Sequence, residues 1–332
     1  MRLGILTSNF QSNNIDQLRV SKLASNRMRL NVAKDAAVMA GIEVPQLDFY
    51  NKNIDVDYLI IGKFVYQSGA NLFIDDDGSR MQRWMHYIEA VKRKKSKIIL
   101  DYTDHLLIAE DNRSDFYRSV LQFIDVVVTP SERMKENISK YFKGEITIIE
   151  EPLEVDIIPV KVNDFEEISA LWFGHPTNLK YLFNFLTKNK HVEKLKIVTS
   201  PINEKEKVLI KNINKKIKID FYEWEPNFYS KLKLDCNICL IPSDINDMKK
   251  NGVSNNRLIT AYALGLIPIV TVVKSYEDYR PTLIDIDQIN AFDKKNLIDL
   301  NRILKEKQEN IVEKYTSDKI KKKWLNLLEI NS

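Results

Sequence analysis

The chain has 332 residues, of which 44% are hydrophobic and 29% charged, as in a globular protein long enough for two domains. Its formal net charge of +4 is small for this length and argues against a dedicated nucleic-acid binder. No apolar run approaches the roughly 20 residues that span a bilayer, and the apolar stretch at the start is too short for a signal peptide, so we expect a cytoplasmic protein.

Short apolar runs alternate with longer amphipathic stretches along the first half, a pattern typical of βα units and a mostly parallel sheet. Helices are predicted there at Arg27–Met39, Arg80–Arg93 and Ser131–Tyr141, the last one capped by Ser131. The strands predicted there are Leu3–Leu6, Tyr58–Ile61, Lys97–Leu100, Val126–Val128 and Thr147–Ile149.

The same alternation continues in the second half. Its predicted strands are Ser169–Phe173, Lys196–Val198, Lys218–Phe221, Ile238–Ile241 and Ile267–Val272. The stretch Glu150–Glu167 contains two prolines, which cannot continue a helix, and we interpret it as a linker. We therefore expect one domain over residues 1–155, a second over 156–305, and a terminal helix over 306–332 that packs back on the first domain.

Several familiar chemistries are disfavoured. No G-x-G-x-x-G follows the first strand, which disfavours a classical dinucleotide enzyme. No G-x-x-x-x-G-K-[ST] occurs, which disfavours a P-loop NTPase. Cys236 and Cys239 have C-x-x-C spacing, but no second pair completes a zinc site. Residues three apart on a strand also point to opposite faces. We interpret both cysteines as core residues and expect no metal site.

The segment after Ile238–Ile241 is a long polar loop followed by a helix that we expect to begin near Ser254. Ser254 can cap this helix, and its free amides would face an anion at the carboxyl end of a parallel strand. Asn255, Asn256 and Arg257 fall in the first turn. A cation is unfavourable there unless an anion binds. An ordinary capped helix with solvated side chains is the alternative.

A second segment of this kind follows the strand Ser169–Phe173. Gly174 permits close backbone approach, His175 can donate to an oxyanion, and Lys180 falls in the first turns of a helix that Thr177 or Asn178 can cap. Two such helix starts in one domain could converge on one pyrophosphate. A partly exposed loop histidine is the alternative for His175.

An acidic segment follows the strand Lys97–Leu100 in the first half. Asp101, Asp104 and His105 are predicted at the carboxyl end of that strand, facing a cleft between the domains. An acid or an imidazole there could orient or deprotonate an acceptor hydroxyl, and a neighbouring carboxylate could tune the His105 imidazole near neutral pH. Capping of a turn is the alternative for Asp101.

The stretches WFGHPTNLKYL, FYEWEPNFYSKLKLDCNICLIPS and SNNRLITAYALGLIPIV resemble the C-terminal domain of retaining GT-B glycosyltransferases, close to the family 4 group of capsule, O-antigen and lipopolysaccharide enzymes. SNRMRLNVAKDAAVMAGIEV and VVVTPSERMKENI resemble segments of the N-terminal domain of that group. The resemblance implies an α/β protein of the GT-B class, with two Rossmann-like domains facing a central cleft.

The same resemblance implies the site. Gly174 and His175 would lie near the donor phosphates, Lys180 would neutralise the pyrophosphate, and Ser254, Asn255, Asn256 and Arg257 would contact phosphates or sugar. Many members of the group carry two glutamates eight residues apart, the second of which binds the ribose. Gly252 and Thr260 stand at the matching positions here, which puts a UDP- or GDP-sugar donor in doubt.

The resemblance also implies a nucleotide-sugar substrate, a glycan or lipid-linked acceptor, a retaining mechanism without a metal ion, and no separate cofactor. The basic run Lys92–Lys97 could bind an anionic membrane surface, or it is a solvated helix end, where cations are favourable. Two other functions stay open. One is a nucleotide-sugar epimerase of the same fold, and the other is a non-catalytic binding protein.

Overall fold

The structure is a computed structural model, and it divides the chain into two compact units. It describes residues 1–7, 15–47, 55–64, 77–108, 110–161, 165–189, 191–204, 207–208, 210, 217–225, 235–247, 252–288 and 292–329, without the side chains of residues 77–80 and 112. The first unit comprises Met1–Pro152, Gly252–Ser254 and Ser317–Ser332, and the second comprises Leu153–Asn251 and Asn255–Thr316.

The first unit contains a parallel sheet with the strand order β1-β2-β3-β4-β5. Its strands are β1 (Leu3–Leu6), β2 (Tyr58–Ile61), β3 (Lys97–Asp101), β4 (Val126–Thr129) and β5 (Glu145–Ile148). A parallel bridge between Arg2 and Glu43 extends the sheet beyond β1. Residue 43 thus pairs on one side of β1, and β2, which follows it in the chain, pairs on the other side. The direction in which the sheet is built therefore reverses at β1.

Helices cover both faces of this sheet, as the reversal requires for right-handed crossovers. On one face, α1 (Asn31–Met39), which continues a π-helical turn at Asn26–Leu30, packs with α8 (Ser317–Leu327) around Trp324. The helices of the other face are α2 (Asp77–Arg93), α3 (Asn112–Val120) and α4 (Glu132–Ile138). The four inner strands are buried, as in parallel sheets covered on both faces.

The second unit has a six-stranded parallel sheet with the order β11-β10-β9-β6-β7-β8. Its strands are β6 (Ser169–Phe173), β7 (Lys194–Thr199), β8 (Lys218–Glu223), β9 (Ile238–Ile241), β10 (Ile267–Val270) and β11 (Ile284–Asp285). Its described helices are α5 (Leu179–Lys188), α6 (Asn256–Ala263) and α7 (Lys294–Val312). Numbered within the unit, this is the order 3-2-1-4-5-6 of a Rossmann sheet.

The prediction of a mixed α/β fold with two parallel sheets is confirmed. Within the predicted linker, Glu150 to Pro152 belong to the first unit, and the described residues from Leu153 on belong to the second. There the Ile158 N–H donates to the Ala263 carbonyl oxygen at 2.7 Å, and the Val160 N–H donates to the Gln308 side chain at 3.3 Å. Residues 162–164 of the linker lie outside the described residues. Among the residues that the structure describes, no helix has both the length and the apolar character needed to cross a bilayer.

Of the two cysteines, Cys239 is the core residue that was predicted, and Cys236 lies before β9 and is only half-buried. Cys239 is buried in β9, and burial raises the pKa of its thiol to about 12. Cys236 is half-buried, and burial raises its pKa to about 11. Both thiols are therefore protonated at neutral pH.

Candidate active site

The candidate site of the second unit lies where its strand order reverses. The first strand of this unit, β6, pairs with β7 on one side and with β9 on the other. In open parallel sheets, ligands bind outside the carboxyl ends of the strands at such a reversal. Gly174 directly follows β6, and α6 is the helix that follows β9.

Arg257 from α6 reaches the end of β6. Its guanidinium carbon lies 5.5 Å from the ring centroids of both Trp172 and Phe173. A Cβ placed on Gly174 would lie 3.6 Å from the same carbon. The structure thus brings together Gly174 and Arg257, two residues that the sequence predicted for one phosphate site. Trp172, fully buried beneath the guanidinium, had not been singled out from the sequence.

The positive charge of Arg257 also acts on two buried groups, Tyr276 and Cys239. Burial raises the pKa of the Tyr276 hydroxyl to about 12, and the positive charge of Arg257 opposes this shift. Arg257 opposes the upward pKa shift of Cys239 in the same way. The guanidinium lies at the end of β6 over two aromatic rings, as arginine often does in partly buried sites.

The start of α6 differs from the prediction. Asn255, not Ser254, holds the N-cap position, and it forms no side-chain capping hydrogen bond. The Ser254 hydroxyl instead donates to Glu151 Oε2 at 2.5 Å, and both of these residues belong to the first unit. The Asn255 amide donates to Tyr279 and Tyr315, and Asn256 is the first residue of α6. Of this segment, Arg257 is the residue whose side chain is seen beside Gly174.

His175 begins the second predicted helix start. Its side chain caps the short 3₁₀ turn Pro176–Asn178, with Nδ1 3.0 Å from the Thr177 hydroxyl oxygen and 3.4 Å from the Thr177 N–H nitrogen. Asn178 holds the N-cap position of α5 but forms no side-chain capping hydrogen bond, and Thr177 lies within the turn that His175 caps. The imidazole is exposed, and a role for it toward the donor stays a prediction.

Lys180 lies in the first turn of α5 and is exposed. Its ammonium lies 4.7 Å from the centroid of the Tyr181 ring, and a hydrogen bond with Tyr181 raises the pKa of Lys180. The Tyr181 hydroxyl in turn donates to Asp247 at 2.9 Å. Lys180 therefore has an aromatic and acidic neighbourhood, and its role toward the pyrophosphate stays a prediction.

In the first unit, Asp101 is not the accessible acid that the sequence predicted. It is 1% exposed and forms an ion pair with Arg29, which is fully buried. Arg29 Nη2 lies 2.6 Å from Asp101 Oδ1, and Arg29 Nε lies 3.0 Å from the same oxygen. Arg29 also donates to the Ile149 carbonyl oxygen. The Asp101 carboxylate is thus buried and held by Arg29, and a catalytic role for it stays a prediction.

Glu151 adds a second carboxyl group to this network, and sequence reasoning missed it. Burial raises the pKa of Glu151, while the charge of Arg29 and the hydrogen bond from Ser254 oppose the shift. The network thus places one buried cation near two carboxyl groups, at the carboxyl ends of β3 and β5. Its signal in the sequence is an arginine on the buried side of a predicted helix, whose partner lies 72 residues away.

Asp104 and His105 have different surroundings. The Asp104 side chain is 41% exposed and pairs with Lys63 at 2.5 Å, so it is an accessible carboxylate. His105 is only 3% exposed, and its Nδ1 lies 3.1 Å from the Tyr102 hydroxyl. Burial lowers the pKa of His105, with repulsion from Lys140 and Arg133. This corrects the expectation that a neighbouring carboxylate would tune His105 near neutral pH.

His105 leads to a prediction on stability. Because its folded-state pKa lies below the ordinary value of 6.5, the unfolded chain takes up the proton first as the pH falls. The stability that the neutral imidazole contributes is complete above pH 6.5 and is lost as the pH falls through the folded-state pKa. In urea unfolding between about pH 7.5 and pH 5, the advantage of wild type over His105→Asn should shrink steadily. Parallel pH curves for the two proteins would contradict this assignment.

The basic run Lys92–Lys97 is partly neutralised by acidic side chains of its own unit. Lys92 Nζ lies 2.6 Å from Asp125 Oδ1, and Lys97 Nζ lies 2.6 Å from Glu329 Oε1. Ser96 in the same run is buried and donates to the Val56 carbonyl oxygen at 2.5 Å. These contacts favour the solvated helix end over a membrane-binding patch.

Among known proteins, the chain has matches in solved structures. No protein-family model matches the chain, and no curated protein does. AviGT4, a glycosyltransferase involved in avilamycin A biosynthesis, is similar with a TM-score of 0.54 and 8% identity, over 99% of this chain and 97% of that one. T4 phage BGT, in complex with UDP and Mn²⁺, is similar with a TM-score of 0.49 and 15% identity, over 99% of both chains. A glycosylation-associated Gap123 complex from Streptococcus agalactiae has a TM-score of 0.47 and 12% identity, over 81% of this chain and 54% of that one.

At 8% identity the similarity to AviGT4 concerns the fold. It covers both units, and each unit has the parallel sheet with flanking helices that the sequence predicted. Together, the two sheets and this full-length similarity show that the chain has a two-domain, Rossmann-like fold of the GT-B class.

Proposed function

We propose that this protein is a glycosyltransferase that moves a sugar from a nucleotide-activated donor to a glycan or lipid-linked acceptor. The observation that carries the proposal is the Arg257 guanidinium beside Gly174, at the reversal of a Rossmann-ordered sheet. A guanidinium presents paired N–H donors that match phosphate oxygens. The first turn of a helix also favours an anion. AviGT4, which shares the fold, is itself a glycosyltransferase.

In the proposed reaction, the bond between the anomeric carbon and the diphosphate oxygen breaks while an acceptor hydroxyl oxygen bonds to that carbon. The acceptor proton leaves to a base, and the nucleoside diphosphate departs with the electron pair. Arg257 and the amide-rich start of α6 would stabilise the charge that develops on the leaving oxygen. Following the family that the sequence resembles, we propose retention of configuration, no bound metal ion, and a role in bacterial surface polysaccharide synthesis.

Among the three residues predicted to be catalytic, Asp104 is the one whose carboxylate is accessible. It lies 2.5 Å from Lys63 Nζ, and its carboxylate oxygens can accept a hydrogen bond from an acceptor hydroxyl. Gly252 supplies no side chain toward a ribose, and a Cβ there would lie 2.8 Å from Met134 Cε. Thr260 is buried within α6. We therefore propose a donor that is held mainly through its diphosphate.

A panel of nucleoside diphosphates and nucleotide sugars tests the proposal, first by thermal shift and then by release of nucleotide in the presence of candidate acceptors. A bound ligand raises the melting temperature because it binds the folded state. We expect at least one diphosphate to stabilise the wild type. Asp104→Asn should bind it with unchanged affinity and lose turnover by about 100-fold or more.

The other outcomes separate the alternative functions. Conversion of a nucleotide sugar without acceptor would identify an epimerase. Tight binding of a nucleotide sugar without turnover on any acceptor would identify a binding protein. Stabilisation by none of the panel would contradict the proposed donor site.

A further inference from the structure

The side chain of Asn255 is held by two tyrosines of the second unit. Its Nδ2 donates to the Tyr315 hydroxyl at 2.6 Å and to the Tyr279 hydroxyl at 3.1 Å. The two hydroxyl groups also form a hydrogen bond with each other. Both protons of the Asn255 amide are therefore directed toward the tyrosine pair.

The tyrosine pair is itself firmly placed. Tyr315 is 6% exposed, and its carbonyl oxygen accepts from Leu153 N–H at 2.8 Å. The Tyr279 ring lies 6.0 Å from the ring of Tyr262, which is buried in α6. The Tyr262 hydroxyl forms a 2.8 Å hydrogen bond with Thr282. The partners of Asn255 are thus fixed by contacts that do not involve the start of α6.

This arrangement prevents Asn255 from doing what asparagine usually does at its position. Asparagine is among the preferred N-cap residues because its side-chain oxygen accepts a hydrogen bond from an amide of the first helical turn. Asn255 occupies the N-cap of α6 and makes no such bond. The first turn, which includes Arg257, therefore lacks the side-chain cap that would compete with an incoming anion.

We infer that Tyr279 and Tyr315 are positioning residues, which hold the Asn255 side chain off the end of α6 so that the diphosphate meets the first-turn amides together with Arg257. The inference rests on the proposed function, because it assigns the tyrosine pair a role in binding the same diphosphate. Asn255 is then an anchored residue and not a ligand of the phosphate.

The test is calorimetric titration with UDP, GDP, ADP, CDP and dTDP. Tyr279→Phe combined with Tyr315→Phe frees Asn255 to cap α6. Affinity for the diphosphate that binds wild type should then fall about 5- to 10-fold, in line with the strength of an N-cap hydrogen bond. Adding Asn255→Ala to the double variant removes the competing cap and should restore most of the affinity.

Tyr262→Phe is the matched control. It removes a buried hydroxyl from α6 and should lower the melting temperature, yet leave diphosphate affinity unchanged because Asn255 stays on its tyrosines. Unchanged affinity in the double variant, or failure of Asn255→Ala to restore it, overturns the inference while Arg257 still supports the proposed function. Lack of binding of every diphosphate to wild type overturns both.

Discussion

Replacing Arg257 by alanine should weaken nucleoside diphosphate binding about 30-fold, a loss of about 2 kcal/mol, which is typical for a charge-assisted hydrogen bond to a phosphate. The guanidinium is stacked on Trp172 and Phe173 beside Gly174, so its position does not depend on the ligand. Little ordering entropy is then lost on binding. Isothermal titration with the diphosphate selected by the thermal-shift panel measures the change.

Two further variants make this result specific. Arg257→Lys keeps the charge but loses the planar pair of donors, and should recover only part of the affinity. Arg280→Ala removes an exposed arginine of the same unit, which pairs with Glu277, and should leave the affinity unchanged. Equal affinities for wild type and Arg257→Ala would place the diphosphate elsewhere.

The sequence predicts the strands of both sheets well because parallel strands buried on both faces are short, uninterrupted apolar runs. The bounds of β1, β2, β6 and β9 are as predicted. The two-residue strand β11 is missed, since Ile284–Asp285 is too short to show a pattern. The bridge that extends the first sheet beyond β1 is also missed, because one pair of residues, Arg2 and Glu43, forms it.

The candidate site could be predicted only in part. Gly174 and Arg257 could be expected at one site because each follows the carboxyl end of a parallel strand, where helix starts meet a phosphate. Their neighbours depend on side-chain partners far along the chain, such as Tyr315 for Asn255, 60 residues away. Sequence pattern carries no information on such pairs. The preference of serine for N-caps therefore predicted Ser254, one residue before the observed cap.

Arg29 shows the same limit in the first unit. A helix was predicted through it from the apolar spacing of Arg27–Met39, and the structure has a π-helical turn there that leads into α1. Helical periodicity does not show whether an arginine on the inner face of a helix has an ion-pair partner. The pairing of Arg29 with Asp101 also holds that aspartate in the core.

The largest effect on stability is expected from breaking this buried pair. Arg29→Met leaves Asp101 as an unpaired buried carboxylate and removes a donor from the Ile149 carbonyl oxygen. We expect the first unit to lose about 3–5 kcal/mol of unfolding free energy, the usual cost of removing one partner of a buried ion pair. Hydrogen exchange of peptides from β1 to β5 measures the loss in this unit alone.

The double variant separates the pair from its parts. Arg29→Met with Asp101→Leu removes both charges together, and replacing a buried ion pair with apolar groups of similar volume is often nearly neutral. We therefore expect the double variant to be more stable than either single variant, with a coupling energy of about 2 kcal/mol or more. If the loss of unfolding free energy in the double variant equals the sum of the losses in the two single variants, the two charges do not depend on each other.

An exposed ion pair of the same unit is the reference for this cycle. Arg133 and Glu136 lie 2.7 Å apart on α4 with partly exposed side chains, and such pairs contribute about 0.5 kcal/mol. Arg133→Ala should therefore leave the exchange of β1 to β5 nearly unchanged. A large loss from Arg29→Met beside a small one from Arg133→Ala would attribute the effect to burial, because the two pairs have almost the same length and differ in exposure to water.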